Sequence, residues 1–175
     1  METWQVILLI CLIAFFAYVI GLIFVAGHGF AFHKSLRIRL KALATVMSEK
    51  QRLLILQSRT LQEKGIAYGP GDAQAIFAIQ NLDFSSLHYK DAKRLLGVLG
   101  EAETRLNYLA QGVKELVKDL EYQELIRTIV ENDHSIRQGT SAYNMDVAAL
   151  NYWVSIPLLG WINYLFGITK REPII

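Results

Sequence analysis

The chain has 175 residues, of which 53% are apolar and 19% charged, against about 25% charged in an ordinary soluble domain. Its single cysteine, Cys11, excludes a disulfide framework and a multi-cysteine metal site, and its length allows one modest core rather than two. A formal net charge of +2 is too small to argue for nucleic acid, so the composition speaks against a soluble monomer, a secreted disulfide scaffold and a multidomain enzyme.

The apolar excess is local. No Asp, Glu, Lys or Arg stands between Glu2 and Lys34, and residues 5–27 read QVILLICLIAFFAYVIGLIFVAG. As a helix this run reaches about 34 Å, enough for a bilayer core of about 30 Å. A cleaved signal peptide would begin with basic residues, whereas this tail carries Glu2 and no base, so an uncleaved anchor is expected. Lys34, Arg37, Arg39 and Lys41 follow the run and none precedes it. The positive-inside rule then places the N-terminus outside, the remainder in the cytoplasm, and those four bases at the lipid headgroups. Trp4 on one side and Phe30 and Phe32 on the other suit interfacial aromatic belts. His28 and His33 read as interfacial polar residues. Ala17 and Gly21 make a small-residue notch for a helix partner. The expected organisation is an anchor over 1–33 and a cytoplasmic helical bundle over 34–175.

From Lys34 to Lys64 neither Pro nor Gly interrupts, and Leu40, Met47, Leu54 and Leu61 recur every seven residues beside Leu36 and Leu43. This predicts a long helix continuing from the membrane, with eight bases against Glu49 and Glu63. It ends in GIAYGPGD, the clearest break in the chain. Asp72 is expected to cap a helix beginning at Ala73, and the stretch to Leu87 is read as helical, broken or bent near Asp83-Phe84-Ser85-Ser86. Ala92, Leu95, Leu99, Ala102, Leu106, Leu109, Val113, Leu116 and Leu120 then alternate spacings of three and four, which predicts one unbroken seam. Tyr122, Leu125, Ile129, Ile136, Tyr143, Val147, Leu150 and Val154 define a last long helix ending near Pro157. No useful length alternates with period two. The class is all-α: one N-terminal transmembrane helix and then a long antiparallel, coiled-coil-like bundle. Residues 65–169 hold twelve acids against eight bases, a contrast with the basic first helix that sets register more than it stabilises, since exposed pairs contribute about 0–1 kcal/mol each.

Residues 147–168, VAALNYWVSIPLLGWINYLFGI, form a second apolar run closed by Lys170 and Arg171. Asn151, Ser155, Pro157, Gly160 and Asn163, and the basic tail, argue against a second span. The aromatic segment 152–168 either caps the core, lies in the membrane interface or makes a subunit contact. Trp153, Trp161 and Phe166 are the candidate contact residues.

The last helix resembles the LemA family of bacterial membrane-anchored helical proteins, whose pattern is close to L-x3-L-x3-E-x2-I-x2-A-R-x2-Y-N-x2-V-x3-N followed by a proline. The matching positions are Leu125, Ile129, Asp133, Ile136, Gly139, Thr140, Tyr143, Asn144, Val147, Asn151 and Pro157. The departures are Asp133 for glutamate, Gly139-Thr140 for Ala-Arg, and a proline about one residue early. The match covers about residues 113–166. It implies a bacterial inner-membrane protein with no established reaction, one that acts as a membrane-surface scaffold or assembly protein.

Tyr143, Asn144, Val147 and Asn151 step by three or four, so amides at 144 and 151 share a stripe and are expected to set the register of a facing element. Among His28, His33, His88 and His134 none stands at metal-site spacing from a Cys, Asp or Glu, apart from the weak Glu131/His134 pair. No nucleophile elbow, Walker loop or dinucleotide fingerprint occurs. No catalytic, cofactor or metal residue is therefore assigned. The expected function is a non-enzymatic scaffold whose partners are the lipid bilayer, further copies of itself and other membrane proteins. The alternatives are an accessory subunit of a larger membrane complex and a membrane-binding or membrane-shaping protein.

Overall fold

A computed structural model describes residues 3–174, apart from the Val117 side chain. Among the described residues the chain is all-helical, with helices α1 (Thr3–Glu63), α2 (Pro70–Gln80), α3 (Tyr89–Gln111), α4 (Leu120–Val154) and α5 (Trp161–Leu165). It divides into two compact units: residues 3–38 with 144–173, and residues 39–143 with 174. Helices α1 and α4 each contribute to both.

Helix α1 is 61 residues long and is long and apolar enough to cross a membrane. None of its most apolar stretch is buried. It stops in a Schellman motif: Gly65 takes φ +79°, the Gly65 N–H donates to Gln62 O at 2.9 Å, and Ile66 N–H donates to Leu61 O at 3.1 Å. Only glycine occupies that left-handed position without strain.

Helix α2 begins earlier than expected. Gly69 is the cap, Pro70 occupies the first turn, and the Asp72 carboxylate accepts from Gly69 N–H at 3.2 Å. Proline has no N–H to waste in the first turn, so the start moves three residues upstream and Asp72 becomes a first-turn acid.

The expected seam from Ala92 to Leu120 is cut short. Ala92, Leu95, Leu99, Ala102 and Leu106 are buried along α3, but the helix ends at Gln111 and the chain turns through a 3-10 turn at Leu116–Lys118. Asp119 Oδ1 then accepts from the N–H groups of Glu121 and Tyr122, starting α4. Leu116 is buried in the turn, whereas Leu120 is 80% exposed. By contrast, all eight expected positions of α4, from Tyr122 to Val154, are buried.

In the second unit, Leu43, Met47, Leu54 and Leu61 of α1 are buried, each contributing about 1.5–3 kcal/mol. Lys50 and Gln57 fall between them in the same stripe and are buried too. Leu53 is buried beside Leu54. α1 meets partners in this unit on several sides, with Gln51 donating to Ile79 and Leu82 carbonyls and Asn132 donating to Val46 O.

Candidate functional site

The first unit packs the end of the chain onto the apolar helix. Pro157 is the origin of the arrangement. Its nitrogen carries no hydrogen, so the Trp153 carbonyl loses its helical donor. Asn163 replaces it, Nδ2 donating to Trp153 O at 3.3 Å. Asn163 is fully buried, with its side-chain oxygen against the Gly29 Cα. A methyl at position 29 would occupy the space of that amide. Gly160 is required as well, because a side chain there would meet the Val154 and Ile156 carbonyls.

Contacts with α1 run in order. Ser35 donates to buried Asp146 at 2.6 Å. His28 stacks on Trp153 with centroids 4.3 Å apart, and Phe24 meets the same indole edge-on at 5.7 Å. Leu159 lies over Gly21. Leu158 then holds φ +64°, an unfavourable conformation for leucine that costs about 1–2 kcal/mol. Its carbonyl accepts two hydrogen bonds, from Tyr18 OH at 3.0 Å and Trp161 Nε1 at 3.0 Å. The indole N–H is shared with Tyr18 OH at 3.1 Å. From there the chain returns through α5, and Phe166 packs on Phe30 at 5.0 Å. Gly167, at φ +70°, closes α5 in a second Schellman motif, with Ile168 N–H donating to Asn163 O and Gly167 N–H to Tyr164 O.

The expected site residues fall as follows. Gly21 is met by Leu159 of its own chain, whereas Ala17 is exposed. Trp153 is half-buried against His28, while Trp161 and Phe166 are 46% and 54% exposed. Lys34, Arg37, Arg39 and Lys41 are all exposed. Tyr143 and Val147 are buried. Asn144 is half-buried. The Asn151 amide pairs in both directions with one residue of the extended tail, donating to Arg171 O at 2.8 Å and accepting from Arg171 N–H at 2.9 Å.

A charged layer that the sequence reading missed lies in the second unit. The Lys50 ammonium is 7% exposed and donates to Glu103 of α3 at 2.6 Å and to Asp133 of α4. Gln57, fully buried, donates to Asn107 at 3.0 Å and Tyr122 OH at 3.1 Å. The signal was present: Lys50 and Gln57 continue the alternation of three and four set by Leu43, Met47, Leu54 and Leu61. Near them Tyr68 donates to Ser58 O, and burial followed by the Asp72 charge pushes its phenol up to about 12. These groups fasten helices; they bring no nucleophile to a base. Among the described residues no cluster of three His, Cys, Asp or Glu is placed to hold a metal ion.

No protein-family model, no curated protein and no solved structure matches this chain.

Proposed function

We propose that this protein is a membrane-anchored, non-enzymatic helical scaffold of the LemA type, working at the cytoplasmic face of a bacterial inner membrane. The observation that carries the reading is α1: the fold buries no residue of its most apolar 18-residue stretch, and the same uninterrupted helix continues into the second unit. Water would not tolerate that surface, whereas a bilayer solvates it. Exposed Lys34, Arg37, Arg39 and Lys41 then sit where anionic headgroups and the positive-inside rule favour them.

An antiparallel pairing of α1 with α4 is supported by their contacts in the second unit. Lys50 meets Asp133 and Gln57 meets Tyr122, so partner numbers fall along α4 as they rise along α1. Such a bundle offers surface to other proteins, including further copies of itself, rather than a cleft for chemistry. Tyr143, Asn144, Val147 and Asn151, the positions of the LemA-like pattern, belong to packing in this reading.

Protease digestion of right-side-out vesicles tests the topology. The loop at residues 65–69 should stay uncut until detergent opens the vesicle. Ready cleavage there in sealed vesicles overturns the orientation. Release of the whole chain by alkaline carbonate overturns the anchor.

A further inference from the structure

We propose that residues 156–166 are a second membrane-inserted element, a re-entrant turn that lies in the cytoplasmic leaflet beside α1 and presents its exposed apolar side chains to lipid acyl chains. The proposal rests on α1 being the membrane span.

Position is the first argument. The deepest contact, Leu158 with Tyr18, lies about 14 Å along α1 from Gly27, the end of the apolar run. If residues 5–27 span the bilayer, the segment packed on Tyr18, Gly21 and Gly29 is carried into the same layer.

Hydrogen bonding is the second. Lipid supplies no partners, so irregular backbone enters it only with its polar groups satisfied internally. The carbonyls of Trp153, Ile156, Leu158, Leu159 and Gly160 all accept hydrogen bonds within the unit. Leu158, held in a strained conformation, has two donors on its carbonyl.

The surface is the third. Leu158, Trp161, Tyr164, Leu165 and Phe166 are 83%, 46%, 50%, 69% and 54% exposed, and Phe15, Phe16, Ile20 and Phe24 of the apolar run are equally bare. Where the tail turns polar, at Lys170 and Arg171, it pairs with Asn151 on the stretch of α4 whose Asp146 meets Ser35, between Lys34 and Arg37. Apolar and basic bands of the two segments therefore coincide, and a single bilayer satisfies both.

The test uses tryptophan quenching in the full chain, reconstituted in phosphatidylcholine–phosphatidylglycerol vesicles. Trp4→Phe with Trp153→Phe leaves Trp161 as the only indole; a second variant carries Phe15→Trp with all three native tryptophans replaced by Phe. Lipids brominated along the acyl chain should quench both, and aqueous iodide neither. Quenching at position 15 together with iodide access at Trp161 overturns the inference and leaves the anchor standing. Protection of position 15 from bromolipid overturns the anchor, and this inference with it. Trp161 shielded from both quenchers means that a second copy or another protein covers the face, which also overturns it. Should the tryptophan replacements disturb folding, Leu165→Cys in a Cys11→Ser background gives the same distinction. A water-soluble maleimide should leave the introduced thiol unlabelled until the protein is denatured; rapid labelling in intact vesicles refutes insertion.

Discussion

Single residues decide where the two ends of the first unit meet. Gly27 and Gly29 are neighbours in sequence but not in environment. A methyl at 27 meets nothing within 4 Å, whereas one at 29 runs into the buried Asn163 amide. Gly27→Ala should therefore raise stability by roughly 0.5–1 kcal/mol through helix propensity. Gly29→Ala should lower it by about 1–3 kcal/mol, as overpacking does. Thermal melts in detergent followed by circular dichroism compare the two, and equal shifts would mean Asn163 does not occupy that space. Lys50 carries a different lesson. Removing it leaves Glu103 and Asp133 facing a hole without their shared cation. Lys50→Ala should cost about 3 kcal/mol, since breaking a largely buried pair strands the remaining charges. Lys50→Met combined with Glu103→Gln and Asp133→Asn should recover much of that loss. A triple variant no more stable than Lys50→Ala would show that burial of the stem, not charge pairing, dominates.

Among the elements, the joint between α3 and α4 is where local periodicity misleads most. Spacing alone puts Leu106 and Leu120 in one seam, but they are 1% and 80% exposed. Leu106→Asp should destabilise by several kcal/mol, while Leu120→Asp should stay within about 0.5 kcal/mol; comparable losses in denaturant titrations would restore the continuous helix. Helices break where capping outcompetes seam burial, and Asp119 supplies that cap. Lys64, then the Tyr122 N–H, hold the Asp119 carboxyl below its ordinary range. A group depressed in the folded state stabilises above its unfolded value of about 3.9 and loses that contribution as pH falls through the folded value. Asp119→Asn should therefore lower Tm near neutral pH, and the gap from the native chain should close below about pH 4. A gap independent of pH would remove the charge from the explanation.

At the scale of the whole molecule, one helix does two jobs: residues 3–38 of it belong to one compact unit and the rest to the other. The apolar stretch of α1 is thus not a detachable leash. Deleting residues 1–33 removes Tyr18, Gly21, Phe24, His28, Gly29 and Phe30, the surface on which Trp153, Asn163 and Phe166 pack. Such a shortened chain should aggregate, and further deletion from residue 155 onward should restore solubility, as read by light scattering. A soluble monomer with an intact C-terminus would show that the segment covers itself without α1.

Local pattern accounts for everything legible before folding. The helical class, the apolar run at 5–27, the stop at Gly65 and the buried stripe from Tyr122 to Val154 follow from periodicity, charge placement and turn chemistry. Each is set by residues within a few turns of one another. The rest waited on contacts between distant parts of the chain. A lysine and a glutamine in a leucine stripe read as surface residues until Glu103, Asp133, Asn107 and Tyr122 are brought to them. Sequence alone leaves residues 152–168 open between core cap, membrane interface and subunit contact, and says nothing of where they pack. The groups this segment packs on are the Tyr18 hydroxyl for the Leu158 carbonyl and the bare Cα of Gly29 for Asn163, and they stand more than 130 residues away. Hydrogen-bond donors and vacant volume carry no periodicity, so only the folded chain shows which of them meet.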